Sequence, residues 1–242
     1  MSVRRTLKVN EIFGPTIQGE GKSAGKEVLF LRLSGCNLYC VWCDTPYTWN
    51  WKGTSFEHPV KYHENLETQM MNDQDVLMRL YQLDTGFRSL VVSGGEPLTQ
   101  QKRLASILKS LHNEGWWIEV ETNGTVDPTK DILDSVDQIN CSPKLSSSKV
   151  PCDERIRPKT LEALNSYDKT NFKFVIGDDS DAQELLALHA VFKFREVFVM
   201  AEGQTRAELA QKDSWVRDFC TKHGFAYCER LHIIKWGSKR GV

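Results

Sequence analysis

Two kinds of hydrophobic spacing alternate along the chain. Short runs rich in β-branched and aromatic residues read as strands, and stretches with apolar positions three or four apart read as helices. Strands are predicted over Glu27–Ser34 (EVLFLRLS), Ser89–Gly95 (SLVVSGG), Trp116–Thr122 (WWIEVET), Asp137–Ser142 (DQINCS), Asn171–Gly177 (NFKFVIG), Arg195–Ala201 (REVFVMA) and Phe225–Leu231 (FAYCERL). A further strand is expected from about Leu7 to Phe13. The stretch Gln100–Gly115 puts Leu104, Ile107, Leu108 and Leu111 on one helical face, with Gly115 as its C-terminal cap. The helix opening at Thr205 carries Glu208 in the capping-box position and Gly224 where it should stop. Alternation of this kind predicts an α/β protein of parallel β/α units.

The tract from Thr45 to Met71 breaks the alternation. It has no clear period and contains Pro46 and Pro59. Loops this long are uncommon unless functional, so a cover over a site is expected, with a mobile surface insertion as the plain alternative. Trp49 and Trp51 either shield that site or pack locally.

Composition narrows the picture. The 242 residues suit one large domain spanning 1–242. Apolar residues make up 40% and charged residues 26%, as in ordinary globular chains. A net charge of −1 removes any general field for nucleic acid or anionic lipid. No apolar run approaches the ~20 residues that cross a bilayer. No apolar segment follows Arg4 and Arg5 as in a signal peptide, so a cytoplasmic, reducing setting is expected. There, clustered cysteines point to metal or redox chemistry rather than disulfides.

Three of the seven cysteines, Cys36, Cys40 and Cys43, form C-x3-C-x2-C directly after a predicted strand. Thiolates select zinc, copper(I) or iron–sulfur clusters. Structural zinc wants four ligands, and His58 and His63 lack finger-like spacing. A four-iron cluster on three cysteines leaves one iron open to an outside ligand. A zinc site or packing thiols remain the alternatives on spacing alone. "SGGEP" (Ser93–Pro97) ends another strand; its glycines allow close backbone approach, and Glu96 either accepts from a cation or orients the loop. Cys141, Cys152, Cys220 and Cys228 have no metal spacing and read as small or incidental thiols.

The cysteine motif and "SGGEP" together resemble the radical S-adenosylmethionine (SAM) superfamily. "EIFGPTIQGEG" from Glu11, "FLRLSGCNLYCVWCDT" from Phe30, "ETNGT" from Glu121, "CSPK" from Cys141 and "RLHIIKWGSKRGV" from Arg230 resemble the 7-carboxy-7-deazaguanine synthase family within it. The resemblance spans Glu11 to Val242. It implies a partial (β/α)6-type barrel with the site at the C-terminal strand ends. It also implies a [4Fe–4S] cluster, SAM and Mg²⁺ as cofactors.

The implied site residues follow motif by motif. Cys36, Cys40 and Cys43 match the cluster ligands, and Thr45 matches a magnesium ligand. Trp42, Cys43, Asp44, Gly95, Ser142, Pro143 and Lys144 match SAM-contact positions, as do Met200, Ala201, Glu202 and Gly203, where many relatives carry a Gln-Pro pair. Ile17, Gln18, Gly19, Arg32, Ser93 and Val242 match substrate contacts. The substrate segment covers 7–25, the cluster loop 36–45, the insertion 45–71 and a substrate-contacting tail 229–242. Independently of the family, an arginine inside "LFLRLS" is costly to bury unpaired, so Arg32 meets either a bound anion or an internal carboxylate.

The implied reaction abstracts hydrogen from C6 of 6-carboxy-5,6,7,8-tetrahydropterin, contracts the ring and releases ammonia. Glu20 and Glu121 are the candidates for a general base. The resemblance also implies a flavodoxin or ferredoxin as electron donor and a homodimer, with no stable nucleic-acid or membrane partner. Two rivals stand: an activase that installs a glycyl radical on another protein, which leaves "IQGEG" and "KRGV" unexplained, and a zinc-binding interaction module for a partner such as RNA, which near-zero net charge disfavours.

Overall fold

The computed structural model describes residues 6–242 except Glu57 and Pro59. The expectations resting on the first five residues and on Pro59 lie outside the described residues. Nine strands are present among them: β1 (Thr6–Ile17), β2 (Glu27–Leu33), β3 (Gln69–Asn72), β4 (Ser89–Gly94), β5 (Trp117–Thr122), β6 (Gln138–Cys141), β7 (Thr170–Ile176), β8 (Val197–Ala201) and β9 (Ala226–Tyr227). They form one sheet in the order β3-β1-β2-β4-β5-β6-β7-β8-β9. From β2 to β9 every neighbour is parallel, while β1 pairs antiparallel with both β2 and β3. The sheet stays open, with β3 and β9 at its edges, which is the expected partial barrel.

Alternation along the strands sorts side chains into two layers. One layer, with Leu29, Leu31, Leu33, Leu90, Val92, Ile118, Val120, Ile139, Phe172 and Phe174, joins the helices in a continuous apolar core. The Gln101–Asn113 helix adds Leu104, Ile107, Leu108 and Leu111, all fully buried, as its period predicts. The other layer lies on the inner, concave side and is mostly polar: Arg32, Ser93, Glu119, Glu121, Gln138, Asn140 and Lys173. Register aligns them across the sheet, with Arg32 opposite Ser93, Glu119 opposite Gln138 and Glu121 opposite Asn140.

Most predicted strands are present, as is the Arg206–His223 helix, with its Thr205–Glu208 capping box and Gly224 in the left-handed cap. Two expectations need correction. The strand read over Phe225–Leu231 shrinks to Ala226–Tyr227, and Leu231 instead opens the helix Leu231–Trp236. The tract from Thr45 to Met71 is not one loop. It holds the short helix Glu64–Glu67 and runs into edge strand β3. It is also packed rather than loose at its start: Tyr47, Thr48, Trp49 and Asn50 are buried. No described helix is long and apolar enough to cross a membrane.

Candidate active site

The cysteine loop leaves the C-terminal end of β2 and closes over the inner layer. Leu38, Cys40 and Val150 form a small apolar cluster beside it, with Cys36 and Cys43 packed against it. All three thiols lie on the wall of one cavity. Burial pushes each above its ordinary value, Cys40 to about 11, so the thiols stay neutral unless a cation stabilises the thiolates. Among the described residues no three His, Cys, Asp or Glu side chains gather tightly enough for a single ion. Three thiols facing one cavity without a fourth ligand suit a polynuclear iron–sulfur cluster with an open position better than closed zinc.

The glycines of "SGGEP" bring β4 against this loop. A Cβ on Gly94 would stand 2.1 Å from the Leu33 carbonyl oxygen, and one on Gly95 2.1 Å from that of Gly35 and 2.8 Å from Cys36 Cβ. Glu96 has the second of its two possible roles. It is fully buried and accepts from the Leu98 N–H (3.0 Å), the Asn123 N–H (2.7 Å) and Thr122 Oγ1 (2.9 Å), bracing the ends of β4 and β5. Burial pushes its carboxyl up to about 7 against the pull of these donors.

Arg32 also resolves. Its Nε donates to Glu11 Oε1 at 2.7 Å, so the internal carboxylate is real. Its guanidinium nevertheless lines the cavity, framed by the Phe13, Phe30 and Tyr47 rings at 5.4, 5.9 and 6.0 Å. Among the described residues its two terminal nitrogens make no hydrogen bond, leaving them for an anion.

Deeper on the inner layer, Lys173 pairs with Glu121 at 2.5 Å and Glu20 at 3.2 Å. Glu119 accepts from Gln18, Ser23, Gln138 and Asn140 beneath the cavity. Burial and the neighbouring Glu121 push its carboxyl up to about 7, while Ser23, Lys173 and Gln18 favour the ionised form. Burial opposes the charge on Glu20, but Lys173, Arg230 and His232 outweigh it and hold the carboxyl far below the usual range. A carboxylate held ionised in this way is a weak proton acceptor. His232 sits 3.8 Å from Glu20, and burial keeps its imidazole below the ordinary value.

The structure gathers most of the expected residues on this wall: Ile17, Gln18, Gly19, Arg32, the three cysteines, Trp42, Asp44, Thr45, Ser93, Gly95, Ser142, Lys144 and Val242. Pro143, Met200, Ala201, Glu202 and Gly203 are not on it. Met200 is buried at the register position opposite Val175, Glu202 is engaged by Lys212 at 2.5 Å, and Gly203 contributes its carbonyl to Arg230. Trp49 separates from Trp51: Trp49 lines the cavity and donates to Cys43, whereas Trp51 bridges locally to Tyr62. Sequence reading missed Lys173, Arg230, Tyr47 and Asn123. A lysine at the inner phase of the apolar run "NFKFVIG" was the available signal, the same one that marks Arg32.

A parallel barrel left open, with cysteines and a glycine-ended strand meeting over its C-terminal rim, is the architecture of radical SAM enzymes. Residues 31–176 match the radical SAM superfamily, of which the chain is a member. It is 32% identical to the 7-carboxy-7-deazaguanine synthase of Pyrobaculum aerophilum over 100% of both chains. It is 31% identical to that of Rhodopirellula baltica over 98% of this chain and 89% of the relative. The chain belongs to the 7-carboxy-7-deazaguanine synthase family. In fold it resembles the crystal structure of QueE from Escherichia coli, with a TM-score of 0.71 at 22% identity over 94% of this chain and 95% of that one. SuiB from Streptococcus suis bound to S-adenosylmethionine matches more distantly, with a TM-score of 0.53 at 18% identity over 79% of this chain and 47% of that one.

Proposed function

We propose that the chain converts 6-carboxy-5,6,7,8-tetrahydropterin to 7-carboxy-7-deazaguanine with loss of ammonia, using the cavity that carries both the cysteine loop and Arg32. The observation that carries this reading is their shared wall: a thiol triad for the cofactor and a half-satisfied guanidinium for a carboxylate. A [4Fe–4S] cluster with SAM, held through Cys36, Cys40 and Cys43, supplies one-electron hydrogen-abstraction chemistry when bound.

The protein's part is placement. Trp42, Asp44, Gly95, Ser142 and Lys144 surround the SAM side, and Lys144 holds Ser142 Oγ at 2.9 Å. Arg32 takes the pterin carboxylate in its planar fork, while Ile17, Gln18, Gly19 and Ser93 line the ring side. Thr45 has a hydroxyl on the wall and would offer Mg²⁺ one oxygen ligand. The tail closes the opening: Arg240 lies 3.7 Å above Tyr47 and pairs with Glu67 at 2.9 Å, which brings Gly241 and Val242 onto the wall. A one-electron carrier such as a flavodoxin or ferredoxin serves as reductant, and the working form is a homodimer.

The test is anaerobic incubation of the iron-loaded protein with SAM, reductant, Mg²⁺ and the carboxypterin, followed by mass analysis. The reading expects 7-carboxy-7-deazaguanine and ammonia. SAM cleavage with the pterin left intact would contradict it.

A further inference from the structure

We infer that Arg230 is a positioning residue that couples the cofactor and substrate sides of the cavity, making SAM and pterin bind cooperatively. This rests on the reading of the cavity given above.

Arg230 is the residue before the helix Leu231–Trp236, and its side chain is only 5% exposed. Its guanidinium reaches three segments that are remote in sequence. Nη2 donates to Asp44, which stands between Cys43 and Thr45 in the cysteine loop. Nε donates to Glu20 at 2.9 Å, in the segment after β1. Nη1 donates to the Gly203 carbonyl at 2.7 Å, in the loop after β8. Both carboxylates lie on the cavity wall, one beside the cluster ligands and one beside the substrate segment.

A buried guanidinium cannot shed its proton and is costly to leave unpaired. A ligand that moves Asp44 therefore displaces the cation that also fixes Glu20. Little slack absorbs the motion. The Leu231 N–H donates to the Gly19 carbonyl at 2.9 Å, and a Cβ on Gly19 would stand 2.3 Å from His232 Nδ1. Ordering of one side by its ligand lowers the cost of ordering the other, and such linkage is reciprocal. A lysine keeps the charge but has no fork to span the three partners.

The experiment uses the iron-loaded protein with the cluster oxidised, so that both ligands bind without turnover. Calorimetry gives the SAM dissociation constant with and without saturating carboxypterin. Wild-type protein should bind SAM on the order of tenfold more tightly when the pterin is present. In Arg230→Lys that ratio should fall to about one at unchanged iron content. Asp44→Ala removes the same bond from its more exposed end, so the result does not depend on one buried substitution. The double variant should lose no more than either single one. A ratio kept at the wild-type value in both single variants, or a wild-type ratio near one with both ligands bound, would overturn the inference alone. Wild-type protein that binds SAM but no pterin would overturn it together with the proposed function.

Discussion

The indole N–H of Trp49 donates to the sulfur of Cys43 at 3.3 Å. Hydrogen bonds to cluster sulfurs help set the reduction potential, because they stabilise the more negative, reduced state. Trp49→Phe keeps the ring and removes the donor. The variant should retain its iron but reduce at a more negative potential than wild type. An electron paramagnetic resonance redox titration reads this directly; an unshifted midpoint would mean that the bond does not tune the cluster.

Gly95 tests the seam between β4 and the cysteine loop. Its added Cβ would meet the Gly35 carbonyl oxygen and Cys36 Cβ well inside contact distance. Gly95→Ala should therefore push the loop away, lowering iron content several-fold while the far-ultraviolet circular dichroism stays native. Full iron loading would show that the loop yields without cost.

Arg32→Gln removes the fork proposed to hold the substrate carboxylate. Losing a hydrogen bond to a charged group costs roughly 1.5–3 kcal/mol, or about tenfold to a hundredfold in affinity. Pterin affinity should fall by that factor, while SAM affinity stays near wild type. Equal losses for both ligands would assign Arg32 to packing, through Glu11 and the aromatic frame, instead.

Glu20 supplies a pH prediction. Its folded value is depressed, so its charge stabilises the fold above the unfolded value of 4.5 and is lost only as pH falls below that through the folded value. Across the working range, about pH 6 to 9, it stays ionised. Glu20→Gln should reduce turnover by one constant factor across that range. If the variant instead abolished an acidic limb present in wild type, Glu20 would be titrating there after all.

Much of this was legible in the sequence, for physical reasons. Parallel strands buried on one face by helices announce themselves as short apolar runs, and β2, β4, β5, β6, β7 and β8 lie where those runs do. The cysteine loop and "SGGEP" were legible because their spacing is local. The long-range pairings were not. Arg230 meets Asp44 and Glu20 across roughly two hundred residues of chain, and although it opens "RLHIIKWGSKRGV", nothing local points to those partners. Edge strand β3 escaped because it is four residues long, with Gln69 and Met70 exposed and Met71 alone packed against the core, too short a run to give a period. "MAEG" is a different case. Aligned by motif with a cofactor segment, it does not line the cavity, and its Gly203 carbonyl accepts from Arg230.

In the proposed function this cavity holds the pterin with C6 open to hydrogen abstraction. The most direct measurement uses carboxypterin deuterated at C6, with mass analysis of the 5′-deoxyadenosine released from SAM. Deuterium should appear in the 5′-deoxyadenosine, formed in step with 7-carboxy-7-deazaguanine. Unlabelled 5′-deoxyadenosine accumulating beside unchanged pterin would contradict it.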